Sequence, residues 1–355
     1  MRAAVRHIFK KNGLILLLVF LLFALMKGRS AAAAEELRSE DSSQLRGWLE
    51  EVRELDETER EAFMQALRLS IYTGEEPSPK AIQNYSRLHA SFSNARTVES
   101  LIRFARDKEG QLPVVLPPRY TELMPFYAEL SQPAMVDEEP LTLYWALQKE
   151  SMIPILILFL ISIFGGGYYE AQMHQYTAVT PRGRTFRRAF WGLLLSLCYA
   201  MLLLNELFDL LYSGLLFAPR LWEASLQSVS AFAYSQVNLT VGGALGLIAL
   251  AKIAGTFLLY RLARFFAARS GGVKEALAAS VFLLLLLLLS SQALENTILY
   301  PMLQVGCVDW QKLLQSTERL PGWPVSFFPL GTAVLVLTQG LWFLSLGRQG
   351  KISKK

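Results

Sequence analysis

The sequence predicts an all-α membrane protein: six transmembrane helices with a mostly helical extracellular domain inserted between helices 1 and 2. Three observations lead there. Hydrophobic residues make up 52% of the 355 and mean hydropathy is +0.30, too apolar for an ordinary soluble domain. Six runs approach the roughly 20 apolar residues that a span needs. Charge is also partitioned within a net of +5: residues 28–150 carry 22 acids and 14 bases, and the remainder carries 8 acids and 21 bases.

The first run, 12–26, is short for a span and follows Arg2, Arg6, Lys10 and Lys11. It reads as an uncleaved anchor. The alternative is a cleaved signal peptide, with its basic start, apolar middle and the alanines at 31–34 as a small-residue exit. Further runs occupy 151–169, 189–212, 241–260, 276–294 and 328–346, the last trailed by Arg348, Lys351, Lys354 and Lys355. With the N-terminus inside, four segments face the cytosol: the N-terminal tail, 170–188, 261–275 and the C-terminal tail. Each is basic, as the positive-inside rule requires. The expected layout is a cytosolic tail and first span over 1–27, an acidic extracellular domain over 28–150, and a membrane domain over 151–355. This describes a multi-pass cell-membrane protein with both termini cytosolic. The basic membrane body suits an anionic inner leaflet, so membrane lipids are expected partners and nucleic acid is not.

Within the insert, Leu45, Trp48, Leu49, Val52 and Leu55 recur at helical spacing. Thr58 and Glu61 have the form of a capping box, after which Phe63, Met64, Leu67 and Ile71 continue an apolar face. Pro77 and Pro79 break the chain, and Ser78 is placed to cap a helix over 81–92. Further helices are expected over 97–108 and 120–130, the latter kinked or split by Pro125.

Several chemistries find no support. There is no GxxxxGK[ST] phosphate loop, no HExxH and no GxSxG. His7, His89 and His174 are scattered, so no metal cluster is expected, and no cofactor. Cys198 and Cys307 lie far apart, the first inside an apolar run, so no structural disulfide is expected. The chain is not expected to be an enzyme.

The segment 170–188, EAQMHQYTAVTPRGRTFRR, joins two apolar runs. As one helix it places Glu170, His174 and Thr177 on one face and Met173, Tyr176 and Thr180 on another. Pro181 ends it, because the residue before a proline is driven out of helix. Arg182, Arg184, Arg187 and Arg188 follow. A short amphipathic helix of this kind lies on the membrane surface or enters a cleft on a partner.

This order of features resembles the ABC-2 type family of ABC-transporter membrane subunits. The residues that carry the resemblance are Glu170 at the end of span two, then Thr177, Thr180, Pro181 and Arg184. Tyr176 stands where the family often has glycine. Residues 226–272 are similar to the family's loop before span four and span four itself. The resemblance implies a permease subunit, an exporter in direction. It would form a homodimer, or a heterodimer with a paralogous permease, and depend on separate cytosolic ATPase subunits that dock on 170–188. It also implies an amphipathic helix over 1–11 along the inner surface. The reading from a different class is a non-transporting receptor, signalling or immunity protein whose acidic ectodomain binds a ligand.

Charges inside spans are functional candidates by default. Lys252 lies near the middle of the fourth run, roughly 16 Å from its outer end and 12 Å from its inner end at 1.5 Å per residue. Asn205, Glu206 and Asp209 lie toward the outer end of the third run. Spans three and four join on the outside, so Lys252 is expected to pair with Glu206 inside the bundle. Gly165–Gly167 is a segment expected to loosen the end of span two, and Gly242, Gly243 and Gly246 form a small-residue patch suited to close helix contact.

Overall fold

The computed structural model describes residues 2–38, 43–73, 78–107, 120–131, 133–149, 153–180, 182–235 and 237–293. The expected sixth span at 328–346, the loop 295–327 with Cys307, the C-terminal tail and Pro181 lie outside the described residues. Every regular element among the described residues is a helix, and the only β pairing is an isolated bridge between Ser225 and Thr240. Among the described residues, three stretches are long and apolar enough to cross a membrane: Glu139–Glu170, Gly183–Tyr212 and Val241–Ser270.

α1 (Arg2–Leu37) runs unbroken past the expected boundary at position 27. Most of its leucines from Leu14 to Leu25 are bare. α2 (Ser43–Glu54) and α3 (Glu57–Tyr72) follow. The capping box is present, but on different residues from those expected. Asp56 caps α3 by accepting from the Glu59 amide, and Glu59 accepts from the Asp56 amide. Thr58 and Glu61 fit the same spacing one half-turn later. The chain leaves α2 at Leu55, and this places Asp56 at the extended position that a cap requires.

The two helices expected over 81–92 and 97–108 are a single helix, α4 (Pro79–Asp107), against which α2, α3 and α5 (Tyr120–Glu129) pack. Pro125 lies inside α5 without splitting it. α6 (Glu139–Lys149) then packs on α1 and on the end of α9.

α7 (Ile153–Glu170) is apolar all round and buried over most of its length, as such a helix must be. Around it stand α1, α9 (Gly183–Tyr212), α11 (Val241–Ser270) and α12 (Val273–Ala293). Gly165 and Gly166 do not loosen α7. A Cβ on Gly166 would stand 2.8 Å from the Val273 backbone and one on Gly165 would stand 3.0 Å from Ala267 and Trp191. At these glycines α7 lies close against α11 and the start of α12. Ser162 and Ser280 hydroxyls, 2.5 Å apart, tie α7 to α12 deeper in the bundle.

Residues 213–240 contain α10 (Pro219–Glu223) and short 3-10 turns. Their core of Leu215, Leu221, Leu226, Val229 and Phe232 lies against α6 and the start of α11. Buried Gln227 holds the loop together by donating to the carbonyls of Ser235 and Val237. The helices of 43–130 are fastened to this loop. Asn94 donates to the Gln227 and Ser228 carbonyls at 3.1 and 3.0 Å, and Ser230 donates its amide and hydroxyl to Glu138.

Candidate functional site

Two constellations stand out, one at each end of the bundle. At the end away from residues 43–130, the predicted single helix over 170–180 is broken. α7 continues through Glu170. The chain reverses over Ala171 and Gln172, whose φ of 52° is left-handed, and restarts as α8 (Met173–Val179). Glu170 therefore does not share a face of α8 with His174 and Thr177. Its carboxylate instead accepts from the Val273 amide, 3.4 Å away, at the start of α12.

α8 is fixed from beneath. Thr177 is 5% exposed, and its hydroxyl donates to the His174 carbonyl at 3.2 Å while lying 2.7 Å from the Tyr168 hydroxyl. With that proton committed to His174, the tyrosine is the donor. The His174 ring lies 5.3 Å from the ring of Tyr169. Thr180 ends the helix in extended backbone, and its carbonyl accepts from the Gly183 amide at 2.9 Å.

Gly183 had no part in the sequence reading, yet it decides the geometry. A Cβ there would fall 2.1 Å from the Thr177 carbonyl oxygen, so only glycine lets α9 begin against α8. Arg184, Arg187 and Arg188 are exposed. On the outer face of α8, Tyr176 and Val179 are 62% and 81% exposed. The result is a rigidly seated short helix that shows two large apolar side chains and is followed by exposed cations.

The second constellation is a buried polar network toward the other end. Lys252 on α11 is paired with Glu206 on α9, its Nζ 2.7 and 2.8 Å from the two carboxylate oxygens. The same ammonium donates to Gln148 at 2.8 Å and to the Tyr144 hydroxyl at 3.3 Å. Tyr144 donates to Glu206 at 2.9 Å, and Gln148 donates to Asp209 at 2.7 Å. Asn205 also donates to Asp209, and Lys27 of α1 forms an ion pair with it. Asp209 is 0% exposed.

Two ammoniums therefore face two carboxylates, and the network joins α1, α6, α9 and α11. Lys27, Tyr144 and Gln148 escaped the sequence reading. Lys27 sits at the edge of an apolar run, where a lysine reads as a boundary marker. α6 itself was not anticipated. The available signal was the four-residue spacing of Tyr144 and Gln148, matched by Asn205 and Asp209 on the partner helix. Among the described residues, no group of three or more His, Cys, Asp or Glu is placed to hold a metal ion.

Comparison with protein-family models, with curated proteins and with solved structures returned no match for this chain.

Proposed function

We propose that the chain is the membrane permease subunit of an ATP-binding-cassette exporter, a six-span protein of the cell membrane with cytosolic termini. A separate cytosolic ATPase would dock on α8 and supply the free energy of transport. The observation that carries this reading is α8 itself. A helix of seven residues has little stability alone. This one is held by the Thr177–Tyr168 contact and the Gly183 approach, while Tyr176 and Val179 remain uncovered. Seating of this kind suits a rigid knob that enters a partner's cleft. The exposed Arg182, Arg184, Arg187 and Arg188 call for acidic groups at that cleft's rim.

The bare leucines on α1, α9 and α11, including Leu21, Leu203 and Leu250, suit contact with lipid or with a second permease. The buried network suits a clamp that keeps four helices together while the bundle rocks between inward- and outward-open states. Burying two ion pairs is tolerable because their hydrogen bonds are largely met by Tyr144, Gln148 and Asn205.

The test is co-purification from the native membrane in mild detergent, with the tagged wild type beside Tyr176→Ser/Val179→Ser. Both substituted side chains are exposed, so folding is not at stake. The expected result is a stoichiometric chain with Walker motifs and ATPase activity on the wild type, reduced at least tenfold on the variant. A folded wild type that brings down no such ATPase overturns the reading and moves the weight to ligand binding by the insert.

A further inference from the structure

At the α8 end of the bundle, one face of α11 changes abruptly from apolar to cationic. Leu250, Ile253, Phe257, Arg261 and Arg264 recur at three- and four-residue spacing and so share that face. Leu250 and Ile253 are 63% and 46% exposed, while Phe257 and both arginines are half-buried. Each guanidinium lies over an aromatic ring: Arg261 over Phe257 at 5.8 Å, and Arg264 over Trp191 of α9 at 4.5 Å. Stacking holds both planar groups at the end of a largely bare apolar stripe.

The segments at this end, 170–188 and 261–275, hold eight bases against two acids, Glu170 and Glu275. Glu170 is engaged with the Val273 amide, and Glu275 lies in the first turn of α12. Among the described residues, neither Arg261 nor Arg264 forms an ion pair. Arg264 donates to a neutral group, the Tyr260 hydroxyl, which itself donates to the Trp191 carbonyl at 2.8 Å. The Arg261 Nε is enclosed and meets no acceptor among the described residues. The two guanidiniums also repel each other. A negatively charged acceptor between them would relieve the repulsion and satisfy the stranded donor.

We propose that this face of α11 binds an anionic phospholipid of the inner leaflet, with the phosphodiester on Arg261 and Arg264 and an acyl chain along Phe257, Ile253 and Leu250. The proposal rests on the membrane placement argued above and not on the ATPase. From Leu250 to Arg261 the stripe measures roughly 16 Å, close to half of a hydrocarbon core of roughly 30 Å. A lipid whose head meets the arginines therefore keeps its chain within one leaflet. Basic sites at the cytoplasmic ends of spans hold anionic head groups in this way. A soluble phosphate would satisfy the arginines and leave the apolar stripe uncovered. A second copy of the chain, related by an axis along the membrane normal, would bring its own Arg261 and Arg264 to the same depth, cation against cation.

The test is a titration of the full chain, purified and delipidated in maltoside and followed by native mass spectrometry. The probes are dioleoyl phosphatidylglycerol, dioleoyl phosphatidylcholine and glycerol phosphate. Phosphatidylglycerol is expected to bind at least tenfold more tightly than either of the others. Its affinity should fall at least tenfold in Arg261→Gln/Arg264→Gln. Arg269→Gln/Lys274→Gln removes as much charge from exposed positions off that face, and should change affinity less than twofold. Arg261→Gln alone leaves Arg264 stacked on Trp191, so it remains informative if the first double variant fails to fold; a loss of at least threefold is expected. Equal binding of phosphatidylcholine, glycerol phosphate binding as tightly as the lipid, equal losses in the two double variants, or affinity unchanged in Arg261→Gln overturns the proposal. No ATPase enters the assay, so its outcome is read separately from ATPase capture.

Discussion

Lys252 holds its place because Glu206, Gln148 and Tyr144 surround its ammonium. Lys252→Met would leave Glu206 and Asp209 facing a single lysine, and removing one member of a buried pair costs about 3–5 kcal/mol. Thermal unfolding in detergent should show that loss, and Lys252→Met/Glu206→Leu should recover most of it. If the double variant is as unstable as the single one, the pair is not the unit of stability. Gly183 makes a different demand. Gly183→Ala sets a methyl group against the Thr177 carbonyl. α8 must then shift, and ATPase capture should drop at least tenfold while helix content by circular dichroism stays unchanged. The pairing of Lys252 with Glu206 was legible because a lone lysine deep in an apolar run demands an acid within reach. Lys27 was not, because one sequence position cannot show whether a lysine at the edge of a run snorkels or turns inward.

Helices are where sequence patterning succeeds most and misleads most instructively. The sequence reading divides this region into two helices, over 81–92 and 97–108. In the structure Asn94 is buried and α4 passes straight through. Its amide is spent on the carbonyls of Gln227 and Ser228, a partner more than 130 residues away, so no local pattern announces it. Asn94→Ala should cost about 1–3 kcal/mol, the penalty for stranding buried acceptors. It should also speed amide exchange across 226–232. The cap of α3 gives a cleaner contrast: Asp56→Ala is expected to destabilise by about 1 kcal/mol and Thr58→Ala by a few tenths, read from the same unfolding curves. The reversal at Gln172 left no trace in the sequence, since neither glycine nor asparagine occupies the left-handed position.

At the scale of the whole molecule, the insert and the loop 213–240 behave as one body, and pH should reveal it. Burial pushes the Glu138 carboxyl above its ordinary range, against the opposing hydrogen bonds from Ser230. A carboxyl raised in the folded state favours folding when protonated. Its contribution is therefore present at acid pH and is lost as pH rises through the window just above the usual glutamate value. Glu138→Gln removes that dependence. The variant should gain stability relative to wild type between pH 4 and pH 8, and a constant difference across that range would refute the assignment. The all-helical architecture and the apolar runs that build it were visible in the chain. The seam between insert and loop was not, because it is made by polar side chains meeting backbone carbonyls.

One consequence follows from the two-residue link between α7 and α8. Ala171 and Gln172 are a short link, so a thrust on α8 from the proposed ATPase would be passed on to α7. α7 is a rod of roughly 27 Å by its 18 residues. Glu170 grips the first amide of α12, and Gly166 rests on the Gly272–Val273 backbone. In the proposed transporter, α7 and α12 would therefore move as a pair, like a crank. A small stroke at its short arm would emerge enlarged at the far end of the bundle, beneath the insert.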